Sequence, residues 1–314
     1  MVARRLLVVV LVVAAACSGG GRARTAPSSS VVASTSTTTT TTALATASSG
    51  ATDDASSPSS SSDAAPDATV PPGLQGTVDE FVSRQAVGFS VVAVDFATGE
   101  RAEHLADRSV LSASLYKLFV ARELLREIDD GTIHSSDAMG DPEGRTVDQC
   151  ITAMIEVSDN DCGEAGLDRV GYGSADTEIH AAGYMSTSLA TPQRTTGRDI
   201  ALFFERARDG SVVGAGHDAA SARLYALLAQ QQVNDRLPVG LPAGTPIAHK
   251  TGDRYYWAHD AGVFTTAVGD VLLVVLTGPW PLPCCDADHP GPGEARAFGA
   301  IARLATAVYD DVMG

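Results

Sequence analysis

Residues 112–131 read "SASLYKLFVARELLREIDDG". Apolar side chains recur at 115, 118, 119, 124, 125 and 128, the period of a helix packed into a core, and Gly131 stops the pattern. At its head stand Ser114 and Lys117, three residues apart, so that both side chains leave one face. The chain has two lysines, this one and Lys250 in "AHKTGD"; the rest of its 22 Lys and Arg residues are arginine. A guanidinium stays protonated at any working pH, whereas a buried ammonium can give up its proton. Both lysines are therefore suspects for chemistry that arginine cannot perform.

Outward from this helix the pattern alternates. Before it, "TVDEFVSRQ" reads as a helix and "GFSVVAVDFATGERAEHLAD" as two strands joined by the turn "ATGE". After it come helical stretches in "TVDQCITAMIEVS", "DCGEAGLDRVG", "TTGRDIALFFERARDG" and "DAASARLYALLAQQQV". The strand period returns in "TPIAHKTG", "DAGVFTTAVG" and "DVLLVVLTG", and "GEARAFGAIARLATAVYDDVM" closes the chain as a helix. This order predicts an α+β fold over residues 74–314, with an antiparallel sheet built from both ends, flanked by helices, and an adjoining all-helical lobe.

The first quarter is of another kind. "MVARRLLVVVLVVAAAC" joins a basic start, a short apolar run and small residues before Cys17, which resembles a bacterial lipoprotein signal of residues 1–17 with Cys17 as the lipidated residue. An ordinary secretory signal is the alternative. Residues 18–73 are mostly Ser, Thr, Ala, Pro and Gly with hardly any large apolar residue, unable to bury enough apolar surface to offset ordering, and read as a disordered stalk. The expectation is an exported monomer, lipid-anchored at the outer face of the cell membrane and touching the membrane only through that anchor. A net charge of -16 argues against nucleic acid as a partner. After Cys17 four cysteines remain, an even number that an exported chain can pair. Cys150 and Cys162 form one candidate disulfide, while Cys284 and Cys285 are either a vicinal bond or free thiols. The seven histidines show no metal-ligand spacing, so neither a metal nor a cofactor is expected.

Ser114 near a helix start can act as a nucleophile if a lysine of lowered pKa takes its proton. "SDN" at 158–160 sits between two helical stretches, where a hydroxyl can relay a proton and an amide can bind an amide; taken alone, it reads as a helix N-cap. In "HKTG", a strand-borne Lys250 and Thr251 can hold a carboxylate, and Gly252 lets a ligand approach the backbone.

Taken together and in this order, "SLYK", "SDN" and "KTG" resemble the three signatures of the penicillin-recognising serine enzymes, most closely the class A β-lactamase-like branch. That resemblance implies a β-lactamase/transpeptidase-like fold and a small-molecule β-lactam or peptidoglycan-peptide-like substrate. It also implies roles. Ser114 is acylated, with Lys117 as base; Ser158 passes a proton to the leaving nitrogen, tuned by Lys250. Asn160 binds the substrate's side-chain amide and Thr251 its carboxylate, Gly252 admits the ligand, and the backbone N–H groups of Ser114 and Asp253 form the oxyanion hole. One departure stands out. Active class A enzymes carry a loop glutamate that activates the deacylating water, yet "HAAGYMSTSLATPQRTTGR" (180–198) contains no carboxylate. The nearest acids, Glu156, Glu164, Glu178 and Asp199, read as helix-end or solvated charges, so β-lactam turnover, slow-deacylating D,D-peptidase or esterase-like chemistry, and a non-catalytic binding lipoprotein all stand as readings.

Overall fold

The computed structural model describes residues 73–284 and 291–314. The signal, Cys17, nearly all of the stalk and Cys285 lie outside the described residues. Helix α1 (Gly73–Ser83) leads into the hairpin of β1 (Phe89–Asp95) and β2 (Arg101–His104), followed by the short β3 (Val110–Leu111). A 3₁₀ turn at Ala113–Leu115 enters α2 (Tyr116–Asp129), and then come α3 (Val147–Glu156), α4 (Asn160–Val170) and α5 (Tyr172–Ala181). The short β4 (Arg194–Thr195) precedes α6 (Gly197–Asp209), α7 (Asp218–Leu228) and α8 (Leu237–Gly240). Strands β5 (Ile247–Arg254), β6 (Trp257–Thr265) and β7 (Asp270–Thr277) and helix α9 (Glu294–Met313) complete the chain.

The main sheet runs β2-β1-β7-β6-β5 and is antiparallel throughout, so β1 from the start of the domain pairs with β7 from its end. The expected α+β architecture is present. Alternation along β7 explains its apolar run. Leu272, Val274 and Leu276 face one core, shared with α2, α3 and α6, while Val271, Leu273 and Val275 face the other, shared with α1 and α9. A strand covered on both faces has no polar side to show, hence "VLLVVL". The short β3 and β4 pair separately, Val110 opposite Thr195.

Helix α2 differs from its amphipathic reading: residues 117–125 are all buried, including Lys117, Arg122 and Glu123. Its charges are satisfied locally. Arg122 pairs with Glu123 and donates to the carbonyls of Val212 and Val213. This helix is the axis of the helical lobe, and its N-terminal turn lies against the sheet. The sequence reading also passed over α5, whose buried residues are only Ala175 and Ile179, too few to give a helical period. Cys150 and Cys162 are bonded, as expected, with Cα atoms 4.9 Å apart, tying α3 to α4. Cys284 is buried and disulfide-bonded, which removes the free-thiol alternative for that residue. No described helix is long and apolar enough to cross a membrane.

Candidate active site

The 3₁₀ turn at Ala113–Leu115 is where Ser114 is presented. Ala113, just before it, has a left-handed backbone (φ +46°), unusual for a residue with a Cβ. The turn is held by Leu115 N donating to Ser112 O (3.1 Å) and by Ser112 N donating to Gln193 O (3.0 Å). Below it, β5 comes unusually close. A Cβ at Gly252 would stand 3.1 Å from Ser112 O and 3.2 Å from Leu115 N, so a side chain there would press the strand and the nucleophile turn apart, and glycine lets them lie this close. His259 on β6 donates from Nε2 to Leu111 O (2.8 Å) and accepts from Thr277 N at Nδ1 (3.1 Å), pinning β3 to the sheet. Desolvation in this buried position lowers its pKa to about 4, so the ring is neutral near pH 7.

Lys117, the second residue of α2, stands one turn after Ser114, fully buried, and its Nζ gathers four oxygen atoms. Ser114 Oγ lies at 3.3 Å, Ser158 O at 2.6 Å, Ser158 Oγ at 3.5 Å and Asn160 Oδ1 at 2.8 Å. Desolvation pulls its pKa down to about 8, against the opposing charges of Asp159, Asp253 and Glu164. An amine poised there can hold a proton or take one. Lys250 arrives from β5, also fully buried, and donates to Ser158 Oγ (2.9 Å) and Thr251 O (2.8 Å). Burial first, and the charge of Lys117 second, push its pKa well below the ordinary lysine value. Ser158 Oγ thus lies between the two ammonium groups that the sequence singled out.

Ser158 also has a left-handed backbone (φ +60°), at the turn between α3 and α4. Asp159 caps α4, its Oδ1 accepting from Cys162 N (2.8 Å), and its carboxylate takes both ends of the Arg145 fork (3.0 and 3.1 Å). Against the desolvation of its partial burial, Arg145 and the Cys162 N–H hold this carboxyl below its ordinary pKa. The tripeptide is therefore both a helix cap and part of the cluster, so the two readings of "SDN" coexist. Helix α4 approaches closely because residue 163 is glycine; a Cβ there would stand 2.5 Å from the Tyr116 hydroxyl and 2.6 Å from Lys117 Cε.

A cleft of about 280 Å³ opens over Ser114, lined among others by Tyr116, Asn160, Glu164, Gln193, Asp253 and Arg254. Thr251 Oγ1 is buried without a hydrogen-bond partner among the described residues, an arrangement that costs stability unless a ligand completes it. The Asp253 carboxylate is held by Arg236 Nη2 (2.7 Å), whose Nη1 donates to His259 O (2.9 Å). His249, beside Lys250, points away into a structural network with Asp260 Oδ1 and Asn234 Oδ1, each 2.9 Å away.

All eight sequence-selected catalytic and substrate-binding residues thus fall on one region where the α2 turn, the α3–α4 turn and β5 meet. The sequence reading did not single out Tyr116, Gln193 or Arg236, and it treated Glu164 as a surface charge. For Glu164 a signal was available: it stands four residues after Asn160, one turn further along the same face.

A model of the beta-lactamase enzyme family matches residues 73–312. The chain belongs to the beta-lactamase enzyme family. Family membership supports a serine hydrolase-type enzyme in general terms, with small-molecule β-lactams as the family's substrates. No curated protein sequence matches the chain. Among solved structures, PBP-A is similar, with a TM-score of 0.66 at 20% identity over 76% of this chain and 96% of that one. A PBP-A variant solved as its acyl-enzyme complex with penicillin G is similar to the same degree, at 21% identity over the same shares of the two chains. A β-lactamase from Desulfarculus baarsii gives a TM-score of 0.63 at 20% identity, covering 76% of this chain and 96% of that one. At such identity these likenesses establish the beta-lactamase fold and leave chemistry to the residues.

Proposed function

We propose that this chain is an exported serine hydrolase, acylated at Ser114 by β-lactams and able to act on the β-lactam ring. The observation that carries the reading is the contact of Lys117 Nζ with Ser114 Oγ in a buried site where the ammonium is destabilised. Neutral Lys117 takes the Ser114 proton, and Oγ attacks the ring carbonyl. The oxyanion is received by the backbone N–H groups of Ser114 and Asp253. Ser158, with Lys250 behind it, delivers a proton to the departing ring nitrogen. Asn160 takes the acyl side-chain amide, and Thr251, whose hydroxyl lacks a partner among the described residues, takes the substrate carboxylate. A peptidoglycan-peptide-like amide or ester fits the same chemistry, and a lipid anchor at Cys17 with a stalk over residues 18–73 would hold the domain at the outer membrane face, near such substrates.

The test is intact-protein mass of the full chain mixed with excess penicillin G. Expected is one adduct of the mass of the whole drug on wild type and none on Ser114→Ala. Labelling that persists in Ser114→Ala, or wild type that neither gains mass nor consumes drug, overturns the assignment.

A further inference from the structure

The stretch 180–198 carries no carboxylate, and the structure accounts for the acids on either side of it and beside the second signature. Asp199 is buried and used up as a brace for this stretch, accepting from Ser186 N (2.9 Å) and Thr187 Oγ1 (2.7 Å). Glu178 faces the far end of α2, where its charge acts on Arg126. Glu156 ends α3 and lies within 3.4 Å of Gln232 Nε2. None of these three lines the Ser114 cleft. Two carboxylates do, Asp253 and Glu164. Asp253 is committed to Arg236. Glu164, among the described residues, has no hydrogen-bond or ion-pair partner, yet its negative charge reaches both Tyr116 and Lys117.

From this elimination we infer that Glu164, on helix α4, is the general base that activates water for deacylation, in place of a loop residue. The inference rests on acylation at Ser114. Asn160 and Glu164 lie one turn, about 6 Å, apart on one helix face, and both line the cleft over Ser114 through which a water reaches the acyl carbonyl. Glu164 takes a proton from that water while the water oxygen bonds to the acyl carbon. As the tetrahedral intermediate collapses, the bond from that carbon to Ser114 Oγ breaks and the same proton returns to Oγ. The products are the ring-opened acid and free enzyme, with no co-reactant beyond water. The chain would then turn over β-lactams with a helix-borne base.

The test compares full-length wild type, Glu164→Gln and Glu164→Asp with penicillin G, following adduct mass and drug loss in the same tube. Expected is adduct formation in all three, an adduct lifetime longer in Glu164→Gln by about 10²- to 10⁴-fold, the range of a lost general base, and partial rescue in Glu164→Asp. Equal lifetimes in wild type and Glu164→Gln, or a wild-type adduct that persists for hours, overturn the role of Glu164 and leave Ser114 acylation standing. Absence of both adduct and drug loss in wild type overturns both.

Discussion

Lys117 shows why residue type matters more than charge here. Arginine at this position would keep its proton and could not accept one from Ser114. With its pKa lowered to about 8, a minor fraction of Lys117 is neutral at pH 7 and most of it is neutral at pH 9. Since the neutral amine is the base, acylation should accelerate as pH rises, about tenfold per unit below pH 8, and level off above it. Adduct formation followed by rapid quench and mass between pH 6 and 9.5 measures this. A flat profile over that range would exclude Lys117 as the titrating base. The same reasoning made the site legible early. Two lysines in an arginine-rich chain are a chemical signal that needs no structure to read. Glu164 was legible only in part: its spacing four residues after Asn160 puts it on the same helix face, but an exposed glutamate there reads the same whether it meets solvent or a cleft.

At the level of elements, the α3–α4 junction carries Ser158 and Asn160 and is held from three directions. The Cys150–Cys162 bond ties its two helices, Asp159 caps the second, and Arg145 clamps Asp159 while also binding Asp141 Oδ2 (2.8 Å). A bridge closing twelve positions removes denatured-chain freedom on the order of 3 kcal/mol. The paired Cys150→Ser, Cys162→Ser variant should therefore unfold at lower denaturant, with a loss of about 3 kcal/mol. It should also acylate more slowly, since Ser158 and Asn160 would no longer be held against Lys117. Unchanged stability in a urea titration would mean that the capping and the Arg145 clamp alone hold the junction. Helix boundaries here were readable from period and caps, whereas α5 was not: it lies mostly in solvent, and a helix that buries two residues leaves no stripe.

Over the whole molecule, the sheet and the helical lobe meet at one small cluster. Residues 114, 117, 158, 160 and 250 come from three parts of the chain, and the two buried lysines stand on opposite sides of that meeting, joined through Ser158 Oγ. The α+β class followed from the element order because β1 and β7 are both doubly covered and read as apolar runs. What sequence could not give was how near β5 passes the nucleophile turn, which depends on the missing Cβ of Gly252. Two residues beside the chemistry, Ala113 and Ser158, hold left-handed backbones that suit glycine better. Comparing Ser158→Gly with Ser158→Ala, both lacking the hydroxyl, should show the glycine variant more stable by about 1 kcal/mol. Equal melting of the two would mean that the turn carries no such strain.

Those two left-handed backbones also set the terms on which the protein can be bred. A population selected in the laboratory for heat tolerance alone would find glycine at 113 and 158 among its easiest gains; the first would loosen the turn that presents Ser114, and the second would delete the hydroxyl that joins the two lysines. Its descendants would become sturdier and duller, and only a concurrent demand for activity would keep the awkward residues in place.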